Sequence, residues 1–184
     1  MRILIFIEHD IIFRHFYLSK AFKDIETSHD VKYIFPREHS KRPRFNINPT
    51  NYGINQNSYK FLDENQYRVH FWKKIYRIEI IKKGLFKKIH RNQRKLYLKT
   101  FDWRSKILFF FLSLPLISSI YKNFSLKKLF KNPYKKLINL LEFEKPDLII
   151  HPTVLEGLFI NDLVLYTKSL KIPFIAIMNS WDNP

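Results

Sequence analysis

The chain has 184 residues, 46% of them hydrophobic, enough for one sizeable core, and its lack of cysteine excludes a disulfide framework, a thiolate metal site and a Cys nucleophile. Its only glycines, Gly53, Gly84 and Gly157, exclude a P-loop and a dinucleotide fingerprint. Lys and Arg number 33 against 16 Asp and Glu, a net charge of +17; residues 60–145 hold 22 of the basic and 6 of the acidic residues, so the charge belongs to one insert.

Residues 3–7 are an apolar run of strand length, and five apolar residues before Glu8 are too few for a signal peptide, so a cytoplasmic location is expected. Asp10 suits a helix N-cap, and Phe13, Phe16, Tyr17, Ala21 and Phe22 recur at helical spacing to residue 23. Residues 31–35 read as a second strand, stopped by Pro36, which completes a β-α-β unit with parallel strands. Residues 37–60, with Pro43, Pro49 and Gly53 and no sustained period, read as loop.

The insert follows. Residues 65–84 carry Phe71, Ile75, Ile78 and Ile81 at helical spacing, and a second basic stretch runs to Thr100. Residues 107–121 are uncharged, too short to span a bilayer and interrupted by Pro115, so a core helix is expected, with a membrane-dipping segment as the alternative. Residues 126–143 close the insert as helix, broken near Pro133. The end repeats the opening grammar: a strand over residues 147–151, a capping box at Thr153 to Glu156 opening a helix to Leu170, and a strand over 173–178. The continuous apolar runs of these strands predict a sheet buried on both faces. The expected fold is α/β: a Rossmann-like open parallel sheet with helices on both faces and a basic helical insertion at residues 37–145, in a single domain.

In such a sheet ligands bind outside the carboxyl ends of the strands. That edge would gather Glu8, His9, Asp10, Arg14 and His15 after the first strand, His151, Thr153 and Glu156 after the third, and Asn179, Ser180, Trp181, Asp182 and Asn183 after the last. Plainer readings stand beside each: Asp10 as N-cap, His15 on a helix surface, His151 as a core histidine, Thr153 and Glu156 as capping box, and the final Asp-Asn-Pro as a turn. No group of His and carboxylates shows metal-ligand spacing, so no metal is expected. In the insert, Arg68, Lys73, Lys74, Arg77, Lys82 and Lys83 are candidates for contact with an anionic surface, either lipid headgroups or nucleic acid phosphates.

The opening "MRILIFIEHDIIFRHF" with its β-α-β unit, and the closing "KPDLIIHPTVLEGLFINDLVLYTKSLKIPFIAIMNSWDNP", resemble the N-terminal half of bacterial glycosyltransferases of the GT-B fold, especially those of surface polysaccharide assembly. The most specific element is "NSWDNP", which looks like the start of a longer SWDN...KG segment leading to a second domain; that Lys-Gly and that domain are absent from this sequence. The resemblance implies a GT-B N-terminal domain, truncated before its donor-binding partner and inactive alone. It would hold the acceptor while a nucleotide-sugar, a co-substrate rather than a cofactor, donates to a lipid-linked or polysaccharide hydroxyl. His15 is then the expected general base, with His9 or Asp10 as substitutes; Arg14 would meet an acceptor phosphate, and Trp181 with Asp182 would position a sugar. A peripheral position on the inner face of the plasma membrane fits this reading. A nucleic-acid-binding or other basic surface-binding module, and half of a nucleotide-sugar epimerase, are the alternatives.

Overall fold

The structure is a computed structural model and describes residues 1–37, 46–86, 88–153 and 157–178; for residues 83–86, 89, 90, 97 and 153 it describes the backbone alone. Glu156 and Asn179, Ser180, Trp181, Asp182 and Asn183 therefore lie outside the described residues, as does the side chain of Lys83.

Five strands, β1 (Arg2–Phe6), β2 (Asp30–Pro36), β3 (Tyr59–Leu62), β4 (Leu148–Thr153) and β5 (Phe174–Met178), form one all-parallel sheet in the order β3-β2-β1-β4-β5. The helices are α1 (Asp10–Ile12), which runs on as a π-helical turn Phe13–Leu18, α2 (Lys23–Ser28), α3 (Gln66–Phe86), α4 (Lys88–Lys99), α5 (Trp103–Ser113), α6 (Pro115–Lys131), α7 (Lys135–Glu144) and α8 (Ile160–Leu170). The fold is thus α/β with a Rossmann-like open sheet. Ile5 of β1 sits in register between Tyr33 of β2 and Ile150 of β4, so β1 is the centre of the sheet.

Side chains alternate across a strand, and β1 shows what that does here. Ile3, Ile5 and Ile7 join Ile12, Phe13, Phe22, Tyr33, Phe35 and Ile150 in one core cluster. On the alternate positions, Leu4 and Phe6 are equally shut from water, and Phe6 meets the rings of His151 and Phe159. At the start of the strands Glu144 is fully buried: Lys32 reaches its carboxylate at 2.8 Å, Lys60 also reaches it, and the Arg2 guanidinium donates to its backbone carbonyl at 3.0 Å. Burial pushes the Glu144 carboxyl up, but the hydrogen bonds and charges of Lys32 and Lys60 outweigh it and hold the group below the ordinary glutamate value.

The chain forms two compact units, residues 1–65 with 134–184, and residues 66–133. Several expectations are corrected. The expected loop up to residue 60 ends inside β3, a four-residue edge strand too short for periodicity to reveal. The expected helix to residue 23 breaks where Lys20 adopts φ 60, and α2 then starts at Lys23. Thr153 does not open a helix: it is the last residue of β4, and α8 begins at Ile160. β5, expected to be buried on both faces, is an edge strand with Ile175 and Met178 exposed.

The second unit consists of α3 to α6. Its core holds Ile78 and Ile81 of α3 and Phe109 of α5, with Leu98, Phe101, Leu112 and Tyr121 packed around them. Arg68, expected on an anion-facing surface, is instead fully buried and donates to the carbonyls of Leu129 (2.8 Å) and Asn132 (2.6 Å), so it ties α3 to the end of α6. Among the described residues no single helix is long and apolar enough to cross a membrane; α5 and α6 meet at 94° across Leu114.

Candidate functional site

The strand order makes the site's position a matter of topology. From β1 the chain steps to β2 and β3 on one side, and β4 and β5 lie on the other, so the switch point of the sheet is between β1 and β4. In open parallel sheets the loops leaving the strands at such a point part and leave a crevice; here Glu8 and His151 fill it, and the open cleft lies beside it, lined by the segments after β1 and β2 and by Phe61 of β3.

Glu8, two residues past β1, and His151, in β4, meet at that point. The Glu8 carboxylate accepts from the His151 Nε2–H at 2.6 Å and from the backbone N–H of Phe159 at 2.8 Å, and its second oxygen accepts from the N–H of Leu158. A carboxylate only accepts, so the ring proton sits on Nε2 and Nδ1 keeps a lone pair; Nδ1 is buried and has no partner among the described residues. Gly157 is required by this arrangement, because a Cβ there would come within 2.8 Å of Glu8 Oε2. Glu8 thus takes over the work assigned to the Thr153 capping box: it holds the backbone entering α8 from across the sheet. His151, a candidate ligand-binding residue, is fully buried against Phe6 and Phe174 and holds Glu8, which in turn holds the loop.

His9 and Asp10 follow. His9 Nδ1 lies 2.6 Å from Asp10 Oδ1, and the Ile11 N–H approaches both Asp10 Oδ1 (2.8 Å) and His9 Nδ1 (3.2 Å). Nδ1 cannot both donate to the carboxylate and accept from Ile11. The two shorter contacts are satisfied together when Nδ1 carries the proton and Ile11 donates to Asp10, which leaves the 3.2 Å approach as a contact only. His9 is then the buried member of a His-Asp pair, and Asp10 the more exposed one.

Asp10 opens onto a cleft of about 710 Å³, a size suited to a small ligand, lined by Asp10, Phe13, Arg14, Arg37, Asn46, Asn48, Asn51, Tyr52 and Phe61, with Ile47 at its base. Arg14 reaches Asp10 at 3.6 Å. Arg37, just after β2, pairs with Asp63, which Lys136 also contacts. The Lys136 hydrogen bond, helped by the Arg37 charge, holds the Asp63 carboxyl below the usual value against some desolvation. Phe13 and Tyr52 meet edge to face at 4.7 Å and form an apolar wall. The turn Pro49–Tyr52 is fixed at its start by Asn48, whose side-chain oxygen accepts from Thr50, and at its end by Gly53 at φ 68. The arrangement offers aromatic faces, amide groups and two guanidiniums around one carboxylate, a set suited to a hydroxyl-rich ligand carrying negative charge.

Of the expected site residues, the structure brings Asp10 and Arg14 into this cleft and His9 directly behind it. His15 is exposed on the π-helical turn and does not line the cleft. Thr153 ends β4, so only its backbone position is fixed. Lys74 is exposed on α3, Lys73, Arg77 and Lys82 are half-buried, and the Arg77 guanidinium lies 5.6 Å from the Phe101 ring centre. Sequence reasoning placed Glu8 at this edge without giving it a role, and passed over Arg37 and the asparagines at 46, 48 and 51. The signal was present as three asparagines within six residues of an aromatic-flanked stretch. Among the described residues no group of three or more His and carboxylates is placed to hold a metal ion. The chain matches no protein-family model, no curated protein and no solved structure.

Proposed function

We propose that this chain is the acceptor-binding domain of a sugar-transfer protein, which places a hydroxyl of a lipid-linked or polysaccharide acceptor for attack on a nucleotide-sugar. The observation that carries this reading is the cleft at the carboxyl ends of β1 and β2, lined by Asp10, Arg14 and Arg37 together with the Phe13–Tyr52 wall. A sugar ring has one apolar face and a rim of hydroxyls, which suits aromatic side chains flanked by Asn46, Asn48 and Asn51. The arginines suit a phosphate or other acidic group on the same acceptor.

In this reading Asp10 is the general base, because it is the one of the three nominated bases that lines the cleft. The acceptor oxygen forms the new bond to the anomeric carbon, its proton passes to Asp10, and the bond to the nucleoside diphosphate breaks with the electron pair leaving on phosphate oxygen. His9 positions Asp10 through Nδ1–H, and Glu8 with His151 fixes the loop beside it.

Ligand-observed NMR of the 184-residue chain with neutral and phosphorylated oligosaccharides tests the reading. Phosphorylated saccharides should bind, and Arg14→Ala with Arg37→Ala should weaken them about tenfold or more. Failure of every saccharide to bind, or steeply salt-dependent RNA binding that depends on the same two arginines, would overturn it. In a sugar-transferring form of the protein, Asp10→Asn should lower turnover about 100-fold or more, while His15→Ala stays within about threefold.

A further inference from the structure

A helical unit that faces water on its outside turns its large apolar side chains inward and its small polar ones outward. α5 and α6 do this with Phe109 and Leu129, which are buried, and with half-buried Leu112 and Tyr121, but along the rest of their length they depart from it. Ile107, Phe110 and Phe111 on α5 and Leu116, Ile120 and Phe124 on α6 are exposed, Leu116 to 79% and Ile120 to 66%. The positions turned inward on the same helices include Ser113, Ser118 and Ser125, all buried. Small residues between helices and bulky apolar ones outside is how helices pack when their surroundings are hydrocarbon, because close backbone approach replaces the hydrophobic drive.

The corner where the two helices meet carries a second, independent sign. Hydrocarbon leaves no water to satisfy backbone groups, so a helix break placed in it must satisfy its own. Here the Phe110 carbonyl accepts from the Ser113 hydroxyl at 2.7 Å, Phe111 accepts from the Leu114 N–H at 3.1 Å, and Pro115 accepts from the hydroxyls of Ser118 and Ser119 at 3.0 and 2.9 Å. Pro115 opens α6 with no N–H to satisfy.

Charge chooses the occupant. Residues 103–133 carry Arg104, Lys106, Lys122, Lys127, Lys128 and Lys131 and no acidic residue, with all of these flanking the uncharged stretch 107–121. Two copies meeting through this face would bring like-charged rims together, whereas anionic lipid headgroups complement them. Trp103, 66% exposed and stacked near Arg104, sits at the boundary between the basic and apolar parts, where indoles favour the headgroup level. Neither helix by itself is long and apolar enough to cross a bilayer, and at 94° the second runs about perpendicular to the first.

We propose that the α5–α6 corner is a monotopic membrane-docking element that inserts Leu116, Ile120, Phe124 and the outward face of α5 into one leaflet of an anionic bilayer, with the flanking lysines and arginines on its headgroups. The proposal does not depend on sugar transfer. It also moves the lipid contact away from the α3 cations nominated from sequence and onto the apolar corner.

The test is co-sedimentation of the purified chain with vesicles of phosphatidylglycerol and phosphatidylcholine and with vesicles of phosphatidylcholine alone, at low and high salt. The chain should pellet with the anionic vesicles and keep part of that binding at high salt, because insertion of apolar side chains is not screened. The triple variant L116S/I120S/F124S should bind about 100-fold more weakly, with an unchanged helical circular dichroism spectrum. Lys122→Glu with Lys127→Glu and Lys128→Glu should lose the preference for anionic lipid; these side chains are exposed and the change leaves the apolar corner intact, so it serves as the second variant. Trp103 fluorescence should be quenched by lipids brominated near the headgroup, and Trp103→Phe should remove that share of the quenching. No binding to either vesicle, binding that the serine variant leaves unchanged, or a solution dimer that the serine variant dissociates without any vesicle binding would each overturn the proposal.

Discussion

In the sheet unit, Leu4, Ile5, Phe6 and Ile7 are fully shut from water and the polar groups collect at the strand ends; along α5 and α6, Phe109 and Leu129 are buried, but most Phe, Leu and Ile side chains of similar size face outward while Ser113, Ser118 and Ser125 are buried. The two regions use much the same apolar residues. What differs is the solvent each outer surface is built for. The sheet unit derives its stability from excluding water from apolar area, so its polar groups must be paired wherever they are buried, as Glu8 and Glu144 are. The helical unit buries few apolar side chains and leaves its largest apolar surface open, so its stability comes from a small core around Ile78, Ile81 and Phe109 and from the buried Arg68 bonds. An exposed apolar face of that extent is a binding surface by default.

The sharpest way to break this comparison is at Glu8. Glu8→Ala strands the His151 Nε2–H and the N–H groups of Leu158 and Phe159 in the sheet core, and should destabilise the sheet unit by about 3–5 kcal/mol, measured by urea unfolding. A loss below about 1 kcal/mol would mean that this buried polar cluster does not hold the loop before α8. Next in size is Ser125→Leu, a change to a larger apolar residue on the inner face of α6. In a water-facing helix unit with a loose core it would stabilise; here it should cost about 1–3 kcal/mol, because the inner face is built for close helix approach.

The acid limb of stability separates the regions by titration. The Glu144 carboxyl is lowered in the folded state, so between its folded and unfolded values the unfolded chain binds more protons and stability rises with pH. That contribution is fully present above the ordinary glutamate value, about 4.3, and is lost as pH falls through the lower folded value. Glu144→Gln should flatten the dependence of the urea midpoint on pH in that window; an unchanged slope would remove Glu144 as its source. The smallest effect should come from Leu116→Ser with Phe124→Ser. Without lipid, these changes should leave stability within about 0.5 kcal/mol of the parent, since the side chains touch solvent rather than core. A loss comparable with that of a buried leucine would show that they pack against protein.

Much of the sheet unit was legible because its strands are long enough and apolar enough to stand out. Residues 3–7, 31–35 and 173–178 were each read as strands, and each contains or overlaps one. β3 was not, because four residues with Lys60 among them carry no usable period. The site was legible in outline: topology sent Asp10 and Arg14 to the cleft, but nothing in the spacing showed that His15 would turn away or that His151 would be buried against Phe6 and Phe174. Arg37 and the asparagines reach the cleft from a segment with no regular structure, where sequence order says little about direction.

By itself the sequence determined the open parallel sheet, the placing of polar residues after its central strands and the concentration of positive charge in the helical insert, since these follow from apolar run length, crossover chirality and composition. Only the tertiary structure decided that Glu8 would cap the backbone before α8, that Arg68 would be buried, and that the apolar stretch 107–121 would face outward. The reason is that periodicity reports how apolar a face is but not what lies against it, and two helices rich in Phe and Leu read alike whether their partner is a protein core or a lipid leaflet.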